Sequence, residues 1–227
     1  MHYEIFGGNL PALTIDLENS ESIYTQSGGM SWMTDGIEMS TNVKGGLMKG
    51  LGRMFSGESL FMATYTARRA GTQITLAAAL PGEIRVFEVA PGREYIAQKG
   101  AFLCAQPGVE LSAEVTRPGA GFFGGEGFIL QHYRGNGLAF LELDGSIREY
   151  NLMPGQVLKV DSGSVAAFEA SVGYSVETVK GFKNVLFGGE GLFLTVLQGP
   201  GKVWLQTMPM SALASRIIPY IPAQHSN

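Results

Sequence analysis

The segment FGGEGFIL, Phe123–Leu130, returns as FGGEGLFL, Phe187–Leu194, and in altered form as FSGESLFM, Phe55–Met62. Each copy is a turn of small residues that carries one Glu and runs into an apolar stretch. Other landmarks repeat with it. Pro91-Gly92 returns as Pro154-Gly155 and Gly100 as Gly163, both 63 positions on (155 − 92; 163 − 100). Glu126 and Glu190 are 64 apart (190 − 126). The first copy keeps the same order at longer spacing: Gly28 to Gly100 is 72 and Glu58 to Glu126 is 68. Features in one order at near-constant spacing imply a triplicated unit, whose apolar face is buried only when units stack.

Working outward, the unit reads as strands. ALTIDL, Ala12–Leu17, alternates apolar and polar residues, the period of a strand with one buried face. SIYTQ, MSWMT, IEMST, SLFMATYTA and TQITLAAAL follow, separated by Ser27-Gly28-Gly29, Asp35-Gly36 and Arg68-Arg69-Ala70-Gly71. Asp35-Gly36 predicts a two-residue hairpin between MSWMT and IEMST. Gly135-Asn136-Gly137 and Gly199-Pro200-Gly201 predict hairpins in the later units. Trp32 is assigned to the core.

The fold class expected is all-β. Unit 1 covers 1–80 and carries a basic, Gly- and Met-rich insertion at 42–57. Unit 2 covers 81–143 and unit 3 covers 144–208. In the tail, 209–227, Met210, Leu213 and Ile217 share one face of a short helix, with Thr207 as its cap and Pro209 in its first turn.

The 227 residues are 45% hydrophobic and only 16% charged, with 32 Gly and a net charge of −4. Little charge implies much hidden surface, within the chain or between subunits. An acidic balance disfavours DNA and general nucleic-acid binding. The opening residues lack a basic stretch followed by an apolar core, and no long apolar run spans a bilayer. A soluble cytoplasmic protein is expected.

Catalytic chemistry is poorly supplied. Cys104, in AFLCA, is the only cysteine. It reads as a small buried hydrophobe rather than a nucleophile. His2, His132 and His225 are scattered, and His132 reads as a surface residue. No compact metal-ligand set and no nucleophile elbow occur, so no enzyme activity, metal or cofactor is expected.

Two groups of candidate site residues stand out. Glu58, Glu126 and Glu190 sit in the repeated turns. Their carboxylates either accept backbone N–H bonds and hold the turns, or gather about an axis to pair between subunits or hold a cation. The insertion interleaves Lys44, Lys49 and Arg53 with Leu47, Met48, Leu51 and Met54. It reads as an ordered loop against a neighbouring subunit, or as an amphipathic contact with a membrane surface or partner.

KGLGRMFSGESLFM, the two FGGEG segments and the opening YEIFGGNLPALTIDL resemble the bacterial members of the altered-inheritance-of-mitochondria family, related to a yeast mitochondrial-biogenesis factor. The resemblance covers the whole chain. It implies a fold like the tryptophan RNA-binding attenuation protein (TRAP-like), a β-sandwich related to the short double-stranded β-helix, with three units per chain. It also implies a homotrimer, giving a ring of nine units, and brings no reaction. The function expected is a non-enzymatic, homo-oligomeric binding or scaffolding protein. A peripheral membrane assembly using residues 44–55 is the alternative. A single-stranded RNA-binding ring is disfavoured: of the basic residues only Arg85 and Arg148 keep register between units.

Overall fold

The computed structural model describes residues 1–41, 62–116, 128–178 and 193–221. They form a mostly β chain. In order the strands are β1 (His2–Phe6), β2 (Ala12–Leu17), β3 (Ser22–Gln26), β4 (Trp32–Met33), β5 (Ile37–Thr41), β6 (Met62–Ala67) and β7 (Thr72–Ala77). Next come β8 (Gly82–Val89), β9 (Tyr95–Gln98), β10 (Phe102–Ala105), β11 (Val109–Thr116), β12 (Phe128–Gly135) and β13 (Gly137–Asp144). The last are β14 (Ile147–Leu152), β15 (Val157–Asp161), β16 (Val165–Glu169), β17 (Gly173–Thr178), β18 (Phe193–Gln198) and β19 (Gly201–Gln206), followed by helix α1 (Met210–Ile217).

One pairing scheme recurs in β2–β7, β8–β13 and β14–β19. The first and third strands of each set flank the sixth: β2 and β4 on β7, β8 and β10 on β13, β14 and β16 on β19. The second and fourth flank the fifth: β3 and β5 on β6, β9 and β11 on β12, β15 and β17 on β18. All pairs are antiparallel. Each set is thus two three-stranded layers. Neighbouring sets join edge to edge, β3 to β10 and β9 to β16, which fuses layers into two six-stranded sheets.

Alternation explains the core. In β2, Leu13, Ile15 and Leu17 are buried while Thr14 and Asp16 are partly exposed. Burying each such aliphatic side chain contributes about 1.5–3 kcal/mol. One apolar cluster fills the first set and reaches Cys104 and Phe140 of the second. A second gathers Phe87, Tyr95, Phe102 and Tyr133 with Trp204 of the third set. A third holds Leu152, Val160, Phe168 and Leu197. The clusters cross the boundaries between sets, so no set has a core of its own.

The expected hairpins at Asp35-Gly36, Gly135-Asn136-Gly137 and Gly199-Pro200-Gly201 do not form. β4 pairs with β7 and β5 with β6, so Asp35-Gly36 takes the chain from one layer to the other. Only Gly36 there has positive φ, whereas the hairpin needs it at both central residues. Gly135 and Gly137, at φ 99° and 144°, make the corner from β12 to β13, which lie in different sheets. A Cβ on Gly135 would sit 2.3 Å from the Gly108 carbonyl oxygen. These glycines turn a layer corner where two backbones touch. Within the sets the hairpins are instead β5–β6, β11–β12 and β17–β18, joined through 42–61, 117–127 and 179–192, and β1–β2 forms another ahead of the first set.

The tail helix forms as expected over Met210–Ile217, but Thr207 does not cap it. The N-cap position is Pro209, and the Thr207 hydroxyl instead accepts from the Ser146 N–H.

Candidate assembly interface

All the site residues expected from sequence, Glu58, Glu126, Glu190, Lys44, Leu47, Met48, Lys49, Leu51, Arg53 and Met54, lie outside the described residues. What the described residues bring together is a pair of open sheet edges. Beside the two six-stranded sheets stand a four-stranded sheet, β1-β2-β7-β4, and a three-stranded sheet, β15-β18-β17. In the first, β4 is one edge strand, opposite β1. In the second, β15 is one edge strand, opposite β17. β4 corresponds to β10 and β16, and β15 corresponds to β3 and β9. These are the strand types that pair at the two internal junctions.

The internal junctions show what such a pairing buries. Between the first two sets, Cys104 lies opposite Thr25 and Ala105 opposite Tyr24. Thr25 Oγ1 donates to the Leu103 carbonyl at 2.6 Å, and the Tyr24 hydroxyl to the Val109 carbonyl at 2.9 Å. Burial pushes the Tyr24 phenol well up. Between the second and third sets, Phe87 meets Trp204 edge to face, centroids 4.8 Å apart, and packs in the same way on Tyr95 of its own set at 4.9 Å. All four residues of β10, and the first four of β16, are buried.

The open edges carry the same kinds of residue uncovered. Trp32 is 56% exposed and Met33 38%, so Trp32 is not a core residue. The reason is topological: among the described residues β4 has no strand on its second side. On β14, an end strand of one six-stranded sheet, Tyr150 is 39% exposed, with the Arg148 guanidinium 5.9 Å from its ring centroid. Val157, at the start of β15, is 49% exposed. Polar groups tidy the surroundings. Glu149 pairs with Lys202 Nζ at 2.7 Å and accepts from Trp204 Nε1 at 3.0 Å. The Lys202 hydrogen bond foremost holds its carboxyl below the usual range. Lys159, on β15, pairs with Glu177 at 2.6 Å.

The remaining candidates carry no reactive geometry. Cys104 is fully buried, and burial raises its thiol well above the usual value. His2 Nδ1 lies 2.8 Å from Asp16, whose carboxyl is lowered first by its hydrogen bond from Gln73 and then by His2. His132 is not a surface residue: its side chain is 14% exposed, with Nε2 3.1 Å from a Glu114 carboxylate oxygen. Among the described residues no three or more His, Cys, Asp or Glu gather as a metal site. Among them, too, no helix is long and apolar enough to cross a membrane.

Sequence reasoning missed the two edges. Their signal is Trp32 on a strand paired on one side alone, which the residues by themselves do not reveal.

The comparisons with known proteins agree with this architecture. The chain is 30% identical over 220 residues to an uncharacterised protein of Streptococcus pyogenes serotype M6, covering 93% of this chain and 87% of the relative. An X-ray crystal structure of another Streptococcus pyogenes protein superposes with a TM-score of 0.76 at 25% identity, covering 97% of this chain and 99% of that one. Residues 3–208 match the family described as Mitochondrial biogenesis AIM24, and the chain belongs to that family.

Proposed function

We propose that the protein is a non-enzymatic, homo-oligomeric scaffold or binding ring, built by head-to-tail pairing of β15 of one copy with β4 of the next. The observation that carries this reading is complementarity. A three-stranded sheet ending in β15 and a layer β2-β7-β4 are the two halves of the six-stranded sheets found elsewhere in the chain, with β1 added at the far end. An open edge with exposed apolar residues is a pairing template, and folded proteins cover or blunt such edges. Because the two edges differ, the contact is heterologous and closes into a ring when the rotation permits. The reading takes three copies, as the family resemblance implies, for a TRAP-like ring of nine strand sets, and takes the cytoplasm as its place.

Native mass spectrometry tests the reading. A particle of three times the 24.3 kDa chain is expected. Met33→Lys on one edge, or Val157→Lys on the other, should each leave a folded monomer. Mixing the two variants should give a dimer and nothing larger, since only one compatible pair of edges remains. A wild-type monomer at micromolar concentration, or variants that assemble normally, would overturn it.

A further inference from the structure

The start of each strand set is tied to the start of the one before. The Gly82 N–H donates to the Asn9 carbonyl at 2.9 Å, and the Gly145 N–H to the Pro81 carbonyl at 2.8 Å. The next bond of this series is from the Met208 N–H to the Asp144 carbonyl, at 3.4 Å. Gly82, Gly145 and Met208 are each 63 positions apart (145 − 82; 208 − 145). Met208 therefore stands where a further strand set would begin. Helix α1 follows there instead, and Pro209 and Ser211 pack beside Gly163, just past the open edge of β15.

No residue of α1 is buried. Met210, Ile217 and Ile218 are 51%, 48% and 63% exposed. A second uncovered apolar group lies at the other end of the chain's strand order. The turn from β1 into β2 presents Phe6, 42% exposed, and Leu10, 67% exposed. Leu10 precedes β2 as Gly82 opens β8, 72 positions on (82 − 10).

We infer that α1 is a clasp between copies: its apolar face, with Met210 and Ile217, seats on the Phe6–Leu10 turn of the next copy. The inference rests on the edge pairing proposed above, which makes the next copy's first strand set the neighbour of Met208. Successive sets within the chain are held together by peptide links, Ala78–Pro81 and Gly145–Ser146. The junction between copies has no such link and loses that effective concentration. A helix laid across it supplies apolar contact at the one boundary without a covalent tie.

Two measurements on the full-length chain test the clasp. Leu10→Cys and Met210→Cys copies, co-expressed and mildly oxidised, should give a disulfide-linked band at twice the chain mass, and neither copy alone should give one. Cys104 is buried and stays out of the reaction. Separately, Met210→Asp with Ile217→Asp should raise the dissociation constant of the assembly at least tenfold while leaving the circular dichroism spectrum unchanged. If the wild type assembles and the β4 and β15 variants break it, yet no mixed disulfide forms and the double Asp variant dissociates like wild type, the clasp is wrong and the edge pairing stands. A wild-type monomer would sink both.

Discussion

Phe87 and Tyr150 hold the same place in successive strand sets, and only Phe87 is covered. Phe87 is 3% exposed and lies edge to face with Trp204, their planes at 72°. Tyr150 is 39% exposed, and among the described residues no further strand set covers it. The contrast makes Phe87 a core residue and Tyr150 a candidate for the proposed junction between copies.

Truncating the two should therefore act on different equilibria. In the monomeric Met33→Lys background, Phe87→Ala should cost about 3–5 kcal/mol of folding stability in urea titration, as for a large buried aromatic. Tyr150→Ala should change it by less than about 0.5 kcal/mol. In the otherwise wild-type chain, Tyr150→Ala should shift the native mass distribution toward monomer. Equal costs for the two in the monomer would contradict the assignment.

The layer corner at Gly135 admits no side chain. Gly92 is an informative control, since its φ is 80° with open space around it. Gly92→Ala should cost about 1–2 kcal/mol, the left-handed backbone penalty alone. Gly135→Ala carries that penalty and also drives a Cβ toward the Gly108 carbonyl oxygen. It should cost about 1–3 kcal/mol more, the usual range for overpacking. Thermal unfolding of both variants measures the difference.

Glu142 is a carboxylate whose burial works against it. Burial raises its pKa above the usual value, partly offset by the Ala79 N–H that it accepts at 2.7 Å. The folded chain thus holds this proton more tightly than the unfolded chain. Stability from this group falls as pH rises through the window between the unfolded and folded values. Glu142→Gln keeps the acceptor for Ala79 and removes the charge. It should stabilise the protein at pH 7, with the gain shrinking as pH falls through the folded-state value and vanishing below the unfolded one. Urea midpoints from pH 3.5 to 7.5 would show this, and a gain that grows toward low pH would refute it.

Cys104 is fully buried and its thiol is held protonated by burial. A maleimide or thiol-disulfide reagent at pH 8 should leave the native protein unlabelled over the time in which urea-unfolded protein reacts fully, since the thiolate is the reactive species. Rapid labelling of the native state would mean that the β3–β10 junction opens.

The hairpins show where local signals mislead. Gly135-Asn136-Gly137 has the composition of a hairpin turn, and a tight corner between layers asks for the same positive-φ glycines. Composition reports the backbone bend; it does not report which strands lie on either side. Trp32 failed as a core residue for a related reason. Its strand is apolar, but burial needs a second neighbour for β4, and the described residues supply none.

By itself the sequence determined the strand class, the recurring landmarks and the poverty of reactive side chains. Alternating apolar residues, as in Ala12–Leu17, and turn glycines at fixed spacing act over a few positions, so they are legible one segment at a time. Only the tertiary structure decided that β3 joins β10, that β9 joins β16, and that β4 and β15 are left open. Strand pairing between sets joins residues such as Thr25 and Cys104 across long stretches of chain, and no local pattern encodes which edges meet. The proposed interface is defined by what those pairings leave uncovered.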